Sequence, residues 1–217
     1  MEADERRGNF RYGGILAITL ALALFTLLSS DGRGARAAEM IASGAMVCLV
    51  MLTSRVRPRV RRLVTIAFAV VVVGAAIGLY FGQSDATITY IVTATLILGA
   101  AAVTLAGVTR LVLEEGVNLQ AVFGALSIYI LAGLLFAFVI GAVAVGVRGN
   151  YFAQGTDGTQ SDRIYFSFTT LTTTGYGDFS PALRGGRSLS VLEMLLGQLY
   201  LVTVIATLVG NLRRRPT

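Results

Sequence analysis

The chain has 217 residues, of which 55% are hydrophobic and only 14% are charged, and its mean hydropathy is +0.74. Soluble domains carry about 25% charged residues, so this composition indicates a membrane protein. All 18 basic residues are arginine and histidine is absent, which excludes histidine proton relays, histidine metal sites and a Ser-His-Asp triad. The net charge of +6 does not indicate a nucleic-acid partner, because the arginines stand at the ends of apolar runs, where membrane topology explains them.

Six apolar segments are long enough, or nearly so, to cross a hydrocarbon core, which takes about 20 helical residues. They lie at 13–30, 37–54, 63–82, 86–109, 119–147 and 188–212. Small residues at 35–38 leave a cleaved signal peptide as the alternative for the first segment, but the later spans behave as a complete membrane protein with it retained. Cys48 lies in the second run without a partner in the chain, and we expect it to be a small buried hydrophobic residue.

The arginines predict the orientation of the spans. If every span crosses once, twelve of the 18 arginines lie on one side. The positive-inside rule then places both termini in the cytoplasm of a multi-pass plasma-membrane protein, and it places the loop between the last two spans outside. The five of these arginines that follow the second span are interpreted as a topology anchor that contacts anionic lipid. They are Arg55, Arg57, Arg59, Arg61 and Arg62.

Between the fifth and sixth spans lies a segment that is too short to cross. A polar stretch at 149–161 is typical of an exposed outer loop, and Ser161 or Asp162 is the expected cap of a helix that runs from about Arg163 to Leu171. A helix of two to three turns is tolerated at membrane depth only where protein surrounds it. The heptapeptide at 172–178 follows. Alone it is also typical of a Thr-rich strand that ends in a glycine turn, but its position between two spans argues against a strand.

Within the heptapeptide, Thr173-Thr174-Gly175-Tyr176-Gly177 resembles the selectivity-filter signature of potassium channels, Thr-Val-Gly-Tyr-Gly. A filter aims successive backbone carbonyls at one axis through conformations with positive φ, which Gly175 and Gly177 adopt at little cost. The hydroxyl of Thr173 adds an oxygen ligand of the kind that hard cations prefer, and Tyr176 is expected to pack behind the filter. The resemblance implies potassium bound at Thr173, Thr174, Gly175 and Tyr176, no cofactor, and a homotetramer, because a ring of oxygens needs several chains.

Thr174 stands where the family most often has valine. Filter side chains point away from the axis, so we expect the carbonyl of Thr174 still to coordinate, while its side chain changes packing or hydrogen bonding to the pore helix. Asp178 matches the acidic residue at the outer mouth of the family, where four carboxylates would concentrate cations. Thr169 is expected to lie behind the filter.

The last span resembles the inner helix of the family. Gly197 lies where a glycine hinge is often found, and close packing of helices is the alternative explanation. Glu193 shares a face with Gly197. A central acid costs about 2.5–3.5 kcal/mol on insertion scales, so we favour a hydrogen bond behind the filter over a pore-lining role. Gly210 is expected to end the helix. A neighbouring face carries the expected cavity or gate residues: Gln198, Leu201, Ile205 and Val209.

The resemblance covers 119–212 and implies an all-α membrane protein with six transmembrane helices, a re-entrant pore helix and a filter loop, in which a tetramer forms the pore. Residues 113–217 would be the pore domain, and 1–112 a four-helix voltage-sensor-like domain without gating arginines, because the span 86–109 carries no charge and Arg110 stands at its end. We expect no buried acid in the first three spans. The chain stops five residues after Leu212, and we expect no ligand-binding module there.

The implied function is a passive, potassium-selective, voltage-insensitive channel and not an enzyme. A less selective cation channel remains an alternative because of Thr174. A membrane transporter is a more remote alternative, since transporters usually show internal repeats and no second copy of the Thr-x-Gly-Tyr-Gly pattern exists here.

Overall fold

The part of the chain that is described includes seven α-helices with defined bounds and one π-helical turn. The computed structural model describes residues 11–29, 32–53, 59, 62–63, 66 and 85–212. The helices are α1 (Arg11–Leu28), α2 (Arg33–Thr53), α3 (Asp85–Glu115), α4 (Leu119–Gly146), α5 (Gln160–Leu171), α6 (Arg184–Leu199) and α7 (Ala206–Leu212), and a π-helical turn (Tyr200–Ile205) joins α6 to α7. These ranges contain no strand beyond isolated bridges of Phe152 with Thr156 and with Pro181.

Four helical runs in these ranges are long and apolar enough to cross a membrane: Gly34–Met51, Ala86–Glu115, Leu119–Gly146 and Arg184–Asn211. They correspond to the second, fourth, fifth and sixth predicted spans, and they are consistent with the predicted all-α membrane protein. The first predicted span is a shorter apolar helix, Tyr12–Leu28. The third, 63–82, lies outside the described residues except for 63 and 66, and so does the arginine cluster at 55–62 except for Arg59 and Arg62.

Helix α3 continues past its predicted end at 109. It runs to Glu115, so Arg110 lies inside the helix, where its Nε donates to Glu114 Oε1 at 2.6 Å one turn further on. The predicted domain boundary at 112 therefore falls within this helix. The chain turns at Gly116, which has φ 75°, and the side chain of Asn118 then caps α4 by accepting the amide of Ala121 at 3.0 Å.

The main core surrounds α4, which packs against α1, α3 and α5, while α2 packs against α3. Leu131, Leu134 and Ala137 on α4 are completely buried. Three buried threonines of the core, Thr19, Thr26 and Thr104, donate their hydroxyls to carbonyls of their own helix, as Thr19 does to Ile15 at 2.7 Å. The hydroxyl of Thr93, also buried, has no hydrogen-bond partner among the described residues.

Two expectations about α2 are wrong. Glu39 is buried, although no buried acid was expected in the first three spans, and Cys48 is exposed where a buried residue was expected. The physical reason is that lipid is as apolar as a protein core. A hydropathy pattern therefore shows that α2 is a membrane helix without showing which of its sides faces protein.

The stretch at 149–161 is more than an exposed loop, because Tyr151 and Phe152 are 0% and 1% exposed. The ring of Phe152 packs edge-to-face on Phe166 of α5, at 5.2 Å between centroids, and on Phe179 just after the heptapeptide, at 4.9 Å. The carbonyl of Tyr151 accepts the amide of Ala182 at 2.8 Å. This loop therefore forms a second apolar cluster that supports the heptapeptide from outside the main core.

Candidate functional site

The short helix α5 positions the heptapeptide, and its N-terminus is fixed by a reciprocal cap. The cap residue is Thr159, and not Ser161 or Asp162 as expected. The amide of Asp162 donates to Thr159 Oγ1 at 3.1 Å and the amide of Thr159 donates to Asp162 Oδ2 at 2.8 Å. This capping box satisfies two amides that would otherwise lack partners, so α5 begins one turn earlier than the sequence predicted and includes Gln160.

The C-terminal turn of α5 holds the start of the heptapeptide through one carbonyl. The amides of Thr174 and Gly175 both donate to the carbonyl oxygen of Thr169, at 2.8 and 3.1 Å. In a trans peptide the carbonyl points opposite to the amide of the next residue. The carbonyls of Thr173 and Thr174 therefore point away from α5. Thr169 also donates its own hydroxyl to the carbonyl of Phe166 at 3.0 Å.

The sign of φ alternates along the heptapeptide from Thr173 to Gly177. Thr173, Gly175 and Gly177 have φ of 59°, 52° and 84°, whereas Thr174 and Tyr176 do not have positive φ. With such alternation successive peptide groups can turn the same way, with the amides along one side and the carbonyl oxygens along the other. Sequence reasoning assigned positive φ to the two glycines and missed Thr173. A non-glycine residue in this conformation costs of the order of 1–3 kcal/mol and persists only where its surroundings hold it.

The side chain of Thr174 contacts the cap of α5. Its Oγ1 lies 2.9 Å from Thr172 Oγ1, and Thr172 Oγ1 donates to the carbonyl of Phe168 at 2.7 Å. A hydroxyl at position 174 thus extends the hydrogen bonding at the C-terminus of α5. The whole segment 172–178 is exposed in the single chain.

Three side chains meet at the far end of the heptapeptide. The rings of Tyr165 and Tyr176 lie parallel, with their centroids 6.2 Å apart and 4° between their planes. The carboxylate of Asp178 lies near the hydroxyl of Tyr165, and hydrogen bonding between the two groups is the largest cause that raises the pKa of Tyr165. Tyr176 and Asp178 therefore both lie against Tyr165 of α5, although Tyr176 remains 71% exposed.

Helix α6 approaches the end of α5 at Gly197. A Cβ atom on Gly197 would lie 2.1 Å from the carbonyl oxygen of Leu171 and 3.0 Å from its carbonyl carbon. Helix α6 runs through Gly197 without interruption. The structure therefore gives close packing as a sufficient reason for this glycine, and a hinge at this position stays a prediction.

One turn earlier on the same face, Glu193 is completely buried. The hydroxyl of Ser167 on α5 lies 2.5 Å from Glu193 Oε1 and 2.7 Å from the carbonyl oxygen of Gly133 on α4. Glu193 Oε2 has no hydrogen-bond partner among the described residues. The structure thus places Glu193 against the pore-helix candidate, where it joins α5 and α6 next to α4.

The run formed by α6, the π-helical turn and α7 does not keep one face along its length. Gln198 is exposed, whereas Ile205 packs against the main core, and Leu201 is half-buried while Val209 is exposed. The π-helical turn at Tyr200–Ile205 explains this difference, because it inserts an extra residue relative to an α-helical turn. The face predicted for a continuous α-helix is therefore broken, and the cavity or gate role of these four residues stays a prediction. Gly210 lies inside α7 and does not end it.

Two tyrosines that the sequence did not single out anchor this region. The hydroxyl of Tyr129 on α4 donates to the carbonyl of Leu171 at 3.2 Å, and the hydroxyl of Tyr200 in the π-helical turn donates to the carbonyl of Ala125 at 2.8 Å. Their rings stack with centroids 6.0 Å apart. A tyrosine in an apolar span is a signal that could have found them, because its hydroxyl needs a partner there.

Comparison with known proteins supports an ion channel. Residues 124–214 match the family described as "Ion channel", which indicates a channel protein and not an enzyme. "Probable potassium channel protein 2" of Methanocaldococcus jannaschii (strain ATCC 43067 / DSM 2661 / JAL-1 / JCM 10045 / NBRC 100440) is 48% identical over 46 residues. That match covers 20% of this chain and 13% of that protein. Both findings support the potassium channel superfamily. No solved structure gives a significant match.

Replacing Gly197 with alanine should separate α6 from α5. A methyl group would overlap the backbone carbonyl of Leu171, which cannot turn aside as a flexible side chain can, so we expect a loss of about 3 kcal/mol or more of stability. Thermal unfolding of the purified protein in detergent measures this loss. Gly210→Ala is the matched control, since nothing lies within 4 Å of a Cβ there. Equal melting temperatures for the two variants would contradict the packing role.

Removing the partner of Glu193 should be more costly than neutralising Glu193. Ser167→Ala leaves a buried carboxyl group without a hydrogen bond from the described residues, at a cost of about 1–3 kcal/mol, whereas Glu193→Gln keeps the shape and the pairing with Ser167. Thermal unfolding should therefore rank Ser167→Ala below Glu193→Gln. Ser188→Ala, an exposed serine on α6 that bonds only to the carbonyl of Arg184, should match the wild type. The contact is unimportant if Ser167→Ala behaves like Ser188→Ala.

Proposed function

We propose that the chain is one subunit of a tetrameric, passive, potassium-selective channel, with Thr173 to Gly177 as its filter. One observation carries this proposal: φ is positive at Thr173, Gly175 and Gly177, while the amides of Thr174 and Gly175 are held by the carbonyl of Thr169. Such a strand offers carbonyl oxygens on the side away from α5. Rings of backbone carbonyls of this kind replace the hydration shell of potassium in channels of the family.

A single strand cannot surround an ion, so the proposal requires four copies around one axis. The exposure of residues 172–178 in the single chain supports it, because these residues would face the axis and the other copies. The C-terminal end of α5 would point toward that axis, where its partial negative charge favours a cation. Asp178, which lies near Tyr165, would stand at the outer mouth, so that four copies add four carboxylates around the entrance.

The remaining parts of the chain fit a channel without a voltage sensor. Residues 1–112 would be a four-helix domain and 113–217 the pore domain, with both termini in the cytoplasm of a cell-membrane protein. Between Ala86 and Thr109 helix α3 carries no charge, and Arg110 is paired with Glu114. Arginines that move through the field supply the energy of voltage gating, so the proposed channel is voltage-insensitive. Anionic lipid would contact the arginines at 55–62.

The less selective cation channel remains the competing function, and Thr174 is the observation that favours it. Its hydroxyl contacts Thr172 and not a group on the axis side of the filter. The contact therefore supports a selective filter with altered packing next to α5. Measurement of the permeability ratio of potassium to sodium decides between the two functions. A transporter lacks a supporting observation within the described residues.

Reconstituted liposomes should show potassium flux that barium blocks. Gly175→Ala should abolish the flux, because Gly175 has φ 52° and a side chain is strained in that conformation. Gly185→Ala is the matched control, since its Cβ would have nothing within 4 Å and its φ is not positive. Absence of potassium flux from a folded wild-type tetramer would overturn the proposal, and so would equal flux through Gly175→Ala and the wild type.

Thr174→Val should leave the preference for potassium over sodium unchanged. The substitution removes the contact with Thr172 Oγ1 but keeps the backbone carbonyl that would coordinate the ion. Reversal potentials in mixed potassium and sodium should agree for variant and wild type within about 5 mV, which corresponds to less than a twofold change in permeability ratio. A wild-type channel that passes both ions equally, and becomes selective only as Thr174→Val, would establish the less selective channel instead.

A further inference from the structure

A cavity of ≈ 260 Å³ lies between the N-terminus of α5 and the helices of the N-terminal half. Its lining comes from five places in the chain: the start of α2, α3, the end of α4, the turn before α5, and the first turn of α5. The lining residues are Gly32, Arg36, Tyr90, Val145, Gly158 and Arg163. The cavity lies apart from the heptapeptide and from Glu193, and the proposed conduction path does not use it.

Arg163 is the most unusual residue of this lining. Its side chain is only 6% exposed, and its partners are neutral: Nε donates to the carbonyl of Asp157 at 3.0 Å and Nη1 to the hydroxyl of Tyr90 at 2.6 Å. The guanidinium also lies 5.2 Å from the centre of the Tyr90 ring. The ion pair among the described residues joins Arg110 to Glu114. No carboxylate of these residues forms an ion pair with Arg163. Burial of a cation is expensive unless an anion compensates it.

The cavity offers further donors beside Arg163. The hydroxyl of Tyr90 accepts from Arg163, so its own proton remains available to donate to another group. Arg36, half-buried on α2, adds a second guanidinium. Tyr90 and Arg163 pack closely against α4, because a Cβ on Gly141 would lie 2.9 Å from the Tyr90 ring and 3.1 Å from Arg163 Nη1. A glycine at 141 thus leaves room for the ring and the guanidinium.

Two carboxylates next to the cavity, those of Asp157 and Asp162, already accept hydrogen bonds from backbone amides. Asp157 Oδ1 accepts the amide of Tyr151 at 2.8 Å, and Asp162 Oδ2 accepts the amide of Thr159. Gly158, which lines the cavity, precedes the cap of the 12-residue helix α5. The N-terminal end of a helix carries a partial positive charge that favours anions. Arg163 therefore has no ion-pair partner among the described residues, and the N-terminal end of α5 adds positive charge beside it.

We propose that this cavity binds a phosphate group, held by Arg163, Arg36 and the hydroxyl of Tyr90. Guanidinium groups match phosphate oxygens in paired hydrogen bonds. The volume lies below the range of about 300–1,000 Å³ for drug-sized ligands, which suits a headgroup or a free phosphate ion. Bound phosphate would join α2 and α3 to the start of α5. Binding there is independent of whether the chain conducts potassium.

One experiment with two arms distinguishes the two sources of the phosphate group, a free phosphate ion and a lipid headgroup. The full chain is placed in phosphatidylcholine nanodiscs and titrated with inorganic phosphate at constant ionic strength, and, separately, in nanodiscs that contain phosphatidylglycerol without free phosphate. The melting temperature is the readout in both arms. A rise in the first arm identifies a free phosphate ion and a rise in the second identifies a lipid headgroup. No rise in either arm would overturn the proposal.

Variants distinguish binding at this cavity from a general effect of the protein's positive charge on phosphate binding. Arg36→Gln removes one of the guanidiniums at a half-buried position and should weaken the response by about tenfold in concentration, as expected for the loss of a charge-assisted hydrogen bond. Arg148→Gln is the matched control, because Arg148 is exposed near the same end of α4 and does not line the cavity. Arg163→Lys should weaken binding further, and Arg36→Gln still tests the site if that buried variant does not fold. An equal response from Arg36→Gln and Arg148→Gln would refute the proposal.

Discussion

The approach of Gly197 to the carbonyl of Leu171 is the constraint on which the rest of the site depends. The last carbonyls of a helix have no partner within that helix, and this one accepts from Tyr129 while the backbone of α6 lies against it. The absence of a side chain at 197 sets the distance between α5 and α6. That distance in turn allows Ser167 and Glu193 to lie 2.5 Å apart one turn away.

Helix α5 is short, and polar contacts to several elements hold it in place. Ser167 contacts α4 through the carbonyl of Gly133, and Arg163 contacts α3 through Tyr90. The aromatic cluster around Phe152 covers another side. This support explains how Thr173 keeps a positive φ next to the end of α5, since a strained residue persists where its surroundings over-determine its conformation. The conformation of the heptapeptide therefore depends on the packing around α5 as much as on its own residues.

Hydropathy predicted most helices within a few residues, because a membrane helix needs a long apolar run whatever it packs against. The positive φ of Gly175 and Gly177 could be expected from residue type, and the placement of Glu193 against α5 was expected from the resemblance to potassium channels. The π-helical turn could not, because it depends on how Tyr200 reaches the carbonyl of Ala125 and on packing against α4. The burial of Glu39 and the exposure of Cys48 were missed for a related reason, since lipid and protein interior are equally apolar.

The charges of α3 favour a role for this helix in supporting α5. Helix α3 has no charge between Ala86 and Thr109, so nothing in that stretch can respond to a membrane field. At one end α3 carries the Arg110–Glu114 pair, and toward the other end it carries Tyr90, which holds Arg163 at the start of α5. The contact of Tyr90 with Arg163 joins α3 to α5, so motion of α3 would disturb the helix that supports the heptapeptide. An arrangement of this kind favours a rigid brace over a moving sensor.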